Sequence, residues 1–196
     1  MKKIIAILLC LALALGCAAS FAETAEAPAK LKLGTLTING GFTLQCDLPA
    51  GYRMTPVLMS SDRIIQYIAS DDPMLPVLQL TVAFDETYCD VDRMNDLTQE
   101  ELEQLESTFT VMDPSIEITY SDTGYGTRLL IAKQTYTLPH YVSILSIYKG
   151  YFVEFYMSAP PSAEDKVLTD EDLQMCIDFL TELDFVPVET NDEPAR

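Results

Sequence analysis

The sequence predicts an α+β domain: a single antiparallel sheet of about six or seven strands with a helix packed on each face. Three observations lead there. Tyr141–Tyr148 and Tyr151–Met157 are β-rich runs joined by Lys149-Gly150, which reads as a hairpin. Both faces of these runs are apolar: Val142, Ile144 and Tyr148 oppose Leu145 and Ile147, while Tyr151, Val153, Phe155 and Met157 oppose Phe152 and Tyr156. A strand wet on one face would alternate more strictly, so the hairpin belongs in mid-sheet with cover on both sides. Two amphipathic helices elsewhere in the chain would supply that cover. The connection itself fits either a primed two-residue turn or a three-residue loop with Gly150 left-handed at a bulge.

Residues 1–22 read as a secretory signal peptide. Lys2 and Lys3 start it, Ile4 to Leu15 is its apolar stretch, and Ser20-Phe21-Ala22 places small residues at the cleavage positions. The stretch is too short for a transmembrane helix. A rival signal, Leu13-Ala14-Leu15-Gly16-Cys17, would instead leave a lipid on Cys17 and a membrane-anchored lipoprotein, although bulky Leu15 stands where a small residue is usual. Soluble export to the cell exterior is preferred on the cleavage site. Residues 23–30 form a flexible spacer, residues 31–188 one globular domain, and residues 189–196 a polar tail.

The domain begins with a strand over Leu31 to Ile38, a turn at Asn39-Gly40-Gly41, and a half-buried strand of Phe42, Leu44, Cys46 and Leu48. Arg63–Ala69 and Val77–Phe84 make an antiparallel pair; Leu78, Leu80, Val82 and Phe84 share one face, Gln79 and Thr81 the other. Thr98 and Glu101 form a capping box for a helix to Thr110, with Leu102, Leu105, Phe109 and Met112 as its stripe. Asp113-Pro114 stops it. Ile116–Tyr120 and Thr127–Lys133 pair across a turn at 122–126. After the hairpin, Thr169 and Asp172 cap a second helix with Leu173, Cys176, Ile177, Leu180 and Leu183 on one stripe, and Phe185 to Val188 dock beyond it.

This order of elements carries a resemblance. Phe42–Tyr52 (FTLQCDLPAGY), followed by the paired strand at 78–84, the helix at 98–110, Gly126–Ala132 (GTRLLIA), the hairpin and a terminal helix, resembles the Mog1/PsbP-like superfamily, which includes DcrB-like bacterial envelope proteins. The resemblance covers most of residues 40–186 and implies an α/β/α sandwich. It implies no single activity, because the superfamily serves several, and no functional residue of the family maps onto this chain.

Charge narrows the partners. There are 30 acidic residues against 12 basic ones, a net charge of −18; loss of Lys2 and Lys3 with the signal peptide takes it to −20. No basic patch exists to neutralise phosphates, so nucleic acid is disfavoured. No stretch after the signal peptide is long and apolar enough to span a membrane. Of the five cysteines, Cys46, Cys89 and Cys176 remain after residue 22, an odd number that permits at most one internal disulfide, with Cys46–Cys89 the geometric candidate.

Catalytic signatures are missing. His140 is the only histidine and lacks a nucleophile and an orienting partner at recognisable spacing; it reads as a strand-edge residue. Asp85, Glu86, Asp90 and Asp92 are the densest oxygen-ligand cluster and the candidate calcium site. Met94 and a missing glycine break the EF-hand pattern, and one histidine with dispersed cysteines gives no zinc spacing. Glu154, isolated in an apolar strand, is either a pocket carboxylate, a residue facing a sheet rim, or the ion-pair partner of Arg128 or Lys133. With Tyr156 it forms the candidate ligand-binding pair. The function that follows is non-catalytic: binding of an extracellular or envelope protein, or of a small ligand, at a bacterial cell exterior. Calcium binding through the acidic loop and lipid anchoring through Cys17 are the alternatives.

Overall fold

The structure, a computed structural model, describes residues 30–111, 113–122 and 127–188. The predicted signal peptide, Cys17, nearly all of the spacer, Met112, residues 123–126 and the tail lie outside those residues. The domain runs β1 (Leu31–Leu36), β2 (Phe42–Cys46), β3 (Tyr52–Met54), β4 (Leu58–Met59), β5 (Arg63–Ser70), β6 (Val77–Phe84), α1 (Gln99–Thr110), β7 (Glu117–Asp122), β8 (Arg128–Gln134), β9 (Tyr141–Tyr148), β10 (Tyr151–Ser158), α2 (Asp170–Thr181) and β11 (Asp184–Pro187).

The expected single sheet of six or seven strands between two helices does not form. The fold is mostly β and has two sheets: a three-stranded one, β1-β2-β11, and an eight-stranded one, β3-β5-β6-β10-β9-β8-β7 with β4 paired to β5. Every ladder is antiparallel. The physical reason lies at the C-terminus. Phe185 to Pro187, expected only to dock, pairs with β2, Phe185 opposite Leu44. The first two strands are thereby drawn into a separate small sheet that lies over the large one instead of extending it. Their alternate residues Leu36, Phe42, Leu44 and Cys46 are buried in the same cluster as Ile64, Leu80, Phe155 and Met157 of the large sheet.

Two local devices allow this. Gly34 sits where β1 shifts register between Lys32 and Gly34. A Cβ there would come within 2.6 Å of Met59 Sδ and 3.0 Å of Ile64 Cδ1, so hydrogen at this position lets the sheets approach. Tyr151, fully buried, donates its hydroxyl to Ile38 O at 2.6 Å and meets Phe42 edge-on at 5.0 Å. It ties the hairpin to the β1–β2 turn.

The β9–β10 hairpin lies in the interior of the large sheet, in the register Tyr148 to Tyr151. Lys149 (φ 49°) and Gly150 (φ 78°) are both left-handed, which makes the connection a primed two-residue turn. The side of the large sheet facing the small sheet and α2 is here called inner. There Cys176, Phe179 and Leu180 of α2 pack on β9 and β10, with the Phe179 and Phe155 ring centroids 4.6 Å apart. Phe179 was not in the predicted stripe. Leu173 and Ile177, which were, are only partly buried. The opposite, outer side receives α1, whose Leu102 and Leu105 join Leu130, Ala132, Leu145 and Ile147 in a second core cluster. Both predicted capping boxes are present: the Thr98 and Thr169 hydroxyls accept from the Glu101 and Asp172 amides, and each carboxylate accepts from its cap residue's own amide.

Candidate functional site

Alternation along each strand decides which side chains reach the outer side of the large sheet. On β8 and β9 most are buried: Leu130, Ala132, Gln134, Ser143, Leu145 and Ile147. On β5, β6 and β10 none is. Arg63, Tyr67 and Val77 are exposed, while Ile65, Gln79, Thr81, Phe152, Glu154, Tyr156 and Ser158 are half-buried. Helix α1 thus covers one half of this side and leaves the other half open. The cover expected over both faces of the hairpin is complete only on the inner one.

Cross-strand register orders the open half into rows. Tyr67 stands opposite Gln79, and Gln79 opposite Tyr156. Ile65 stands opposite Thr81, and Thr81 opposite Glu154. The two predicted ligand residues, Glu154 and Tyr156, therefore do lie together, two positions apart on β10, in the middle of the open surface. Tyr156 leans on Tyr141, ring centroids 5.4 Å apart. Glu154 accepts a 2.6 Å hydrogen bond from the Ser143 hydroxyl. The ion pair expected with Arg128 or Lys133 is not made. Both belong to β8, and β9 separates β8 from β10. Lys133 also pairs with Val142, an inner-side residue, and Arg128 sits over the Tyr120 ring at 5.6 Å. Among the described residues Glu154 has no cationic partner.

The open half ends in a cavity of about 360 Å³. Tyr67 and Val77 lead into it, and Pro73, Pro76, Pro160 and Pro161 wall it. The ring fixes φ at each proline, so these walls are stiff. The Ser162 hydroxyl and the Lys166 ammonium hold the two loops together by donating to the main-chain oxygens of Pro73 and Met74. Sequence reading missed this cavity because its walls come from segments that are distant in the chain. The polar alternation Gln79, Thr81 was the one signal for the open side.

The acidic loop holds the hairpin turn. Asp85 caps a short 3₁₀ turn at Glu86–Tyr88 by accepting from the Thr87 amide. The main-chain oxygens of Val91 and Asp92 accept from the amides of Gly150 and Lys149, and the Asp85 amide donates to Gly150 O. Asn39 adds hydrogen bonds to Cys89 O and Lys149 O. The loop is a clasp around the hairpin turn, with Glu86, Asp90 and Asp92 exposed. Among the described residues no three His, Cys, Asp or Glu side chains converge as a metal site. His140 is half-buried; its Nδ1 meets no hydrogen-bond partner among the described residues, and Ser143 donates to Glu154 rather than to it. Cys46, Cys89 and Cys176 are all free thiols. Cys46 and Cys176 are buried and Cys89 is exposed, so the candidate Cys46–Cys89 disulfide is not formed.

Burial raises the phenol pKa of Tyr141 and Tyr156, and the Glu154 carboxylate adds to both effects. Burial also raises Tyr52, Tyr88 and Tyr151. Tyr120 is pushed up to about 12 by burial and by its hydrogen bond to Glu106. A phenol whose folded pKa is raised stabilises the fold fully below the unfolded value of about 10 and loses that contribution as pH climbs through the folded value. Stability is therefore expected to fall from pH ~10 upward, with the Tyr120 contribution fading by about 12. Tyrosinate absorbance followed alongside thermal melts checks this; six phenols titrating together at the ordinary value in the folded protein would contradict it. Comparison with known proteins finds no family model and no curated protein that matches this chain.

Proposed function

We propose that this is an exported, non-catalytic binding domain that works at a bacterial cell exterior and holds its ligand on the open half of the large sheet. One observation carries the reading: on β5, β6 and β10 no outer side chain is fully buried, with exposed Tyr67 and half-buried Tyr156 and Glu154 among them. A sheet side that a fold leaves open next to a cavity is a natural place for a ligand. The N-terminal pattern through Ala22 supports export, and mass analysis of the mature protein tests it: a chain starting at Glu23 fits soluble release, an acylated Cys17 fits anchoring.

Binding is tested on mixed peptide and glycan arrays. The native chain is expected to retain at least one class of ligand. Tyr156→Ser is expected to lose it by about tenfold or more, as for truncation of a central aromatic contact, with little change in melting temperature. Equal retention by both proteins would remove the open side as the binding surface.

A further inference from the structure

We infer that the open side takes an extended peptide, one that places an apolar side chain in the proline-walled cavity and, about four residues away, a lysine or arginine against Glu154. This rests on the proposed use of the open side and goes beyond it by naming the ligand's chemistry.

The polar groups of the surface are largely spent on one another. Gln79 Nε2 donates to Thr81 Oγ1 at 3.0 Å, Ser143 donates to Glu154, and Ser162 donates to Pro73 O. A glycan, which needs many unengaged donors and acceptors, gains little here. What remains unengaged is apolar area and charge. Tyr67 (45% exposed) and Val77 (39% exposed) frame the cavity mouth. Glu154 is a half-buried carboxylate with tyrosine on β10 beside it and no ion-pair partner among the described residues. A basic side chain would find there an opposite charge and an aromatic face together. The whole chain, at −18, attracts a basic partner in the same sense.

Spacing fixes the ligand's length. Val77 stands opposite Ser158, four residues from Glu154 along β10. At about 3.4 Å per residue that separation is roughly 13–14 Å. An extended peptide spans it with the same number of residues, so anchor and base are about four positions apart.

The chain contains no tryptophan, so a probe peptide can carry the only indole. Two acetylated peptides, tryptophan before lysine and lysine before tryptophan with three glycines between, are titrated while indole emission is followed. One of them is expected to bind with a blue shift. Exchanging its lysine for glutamate is expected to weaken binding roughly tenfold, ~1.4 kcal/mol, and added salt to narrow that gap. Glu154→Gln keeps the Ser143 hydrogen bond and should erase the lysine preference without lowering the melting temperature. Ala69→Leu, which adds volume at the cavity wall, should abolish the indole shift. A lysine preference that survives Glu154→Gln, or an indole shift that survives Ala69→Leu, overturns the inference. If neither peptide binds while a neutral glycan does, and Tyr156→Ser loses that glycan, the open side is the binding surface but not for a basic peptide. If no ligand of either class responds to Tyr156→Ser, both readings fall.

Discussion

Phe155→Ala is expected to destabilise the domain by about 4 kcal/mol, the cost of removing a large aromatic from a core that collapses only partly around the void. Phe155 is fully buried at the centre of the large sheet. Leu80 and Ile144 flank it from β6 and β9, and the Phe179 ring of α2 lies 4.6 Å away. Three elements therefore lose contacts at once. For a domain of this size each kcal/mol lowers the melting temperature by roughly 2–4 °C, so the fall should be about 8–16 °C. A loss below about 1 kcal/mol in urea titration, at unchanged slope, would mean that the void is refilled and that α2 is not held by this contact.

Gly150→Val should cost about 3 kcal/mol through a different mechanism. The position is left-handed at φ 78°, which costs a residue with a side chain roughly 1–2 kcal/mol. A Cβ there would also stand 2.9 Å from the main-chain Cα of Cys89 and 3.2 Å from Asn39 Nδ2. Overpacking against backbone adds about 1–3 kcal/mol. The substitution prises the acidic clasp off the hairpin turn, so amide exchange should quicken at Lys149 and Gly150, whose amides bond to that loop. Unchanged protection there would contradict the clasp.

Those two sites also mark what could be read from sequence. Phe155 was legible, since a strand apolar on alternate positions puts it in a core. Gly150 was legible as a turn residue, but its neighbour across space, Cys89, was not. Local periodicity gave β5, β6, β9, β10 and both helices to within a few residues, because alternation and capping boxes are local properties. β3 and β4 are too short to show a period. The segment of β11 reads as a docking tail because nothing in Asp184–Pro187 announces that its partner is β2. The division into two sheets rests on that single long-range pairing and on Gly34, so no window of sequence contains it. The site divides in the same way. Glu154 stood out as a charge in an apolar strand. That it makes no ion pair with Arg128 or Lys133 depends on β9 lying between β8 and β10, which is strand order rather than composition.

The pairing of β11 with β2 also bears on how the chain reaches its fold. The small sheet joins the beginning of the domain to its end, so the second edge of β2 stays unfilled until Asp184–Pro187 reaches it. Closing so long a loop is entropically slow and gains its compensating contacts only on completion. The hairpin, by contrast, can form as soon as its own residues are free. Folding should thus proceed outward from β9–β10, with the small sheet closing last.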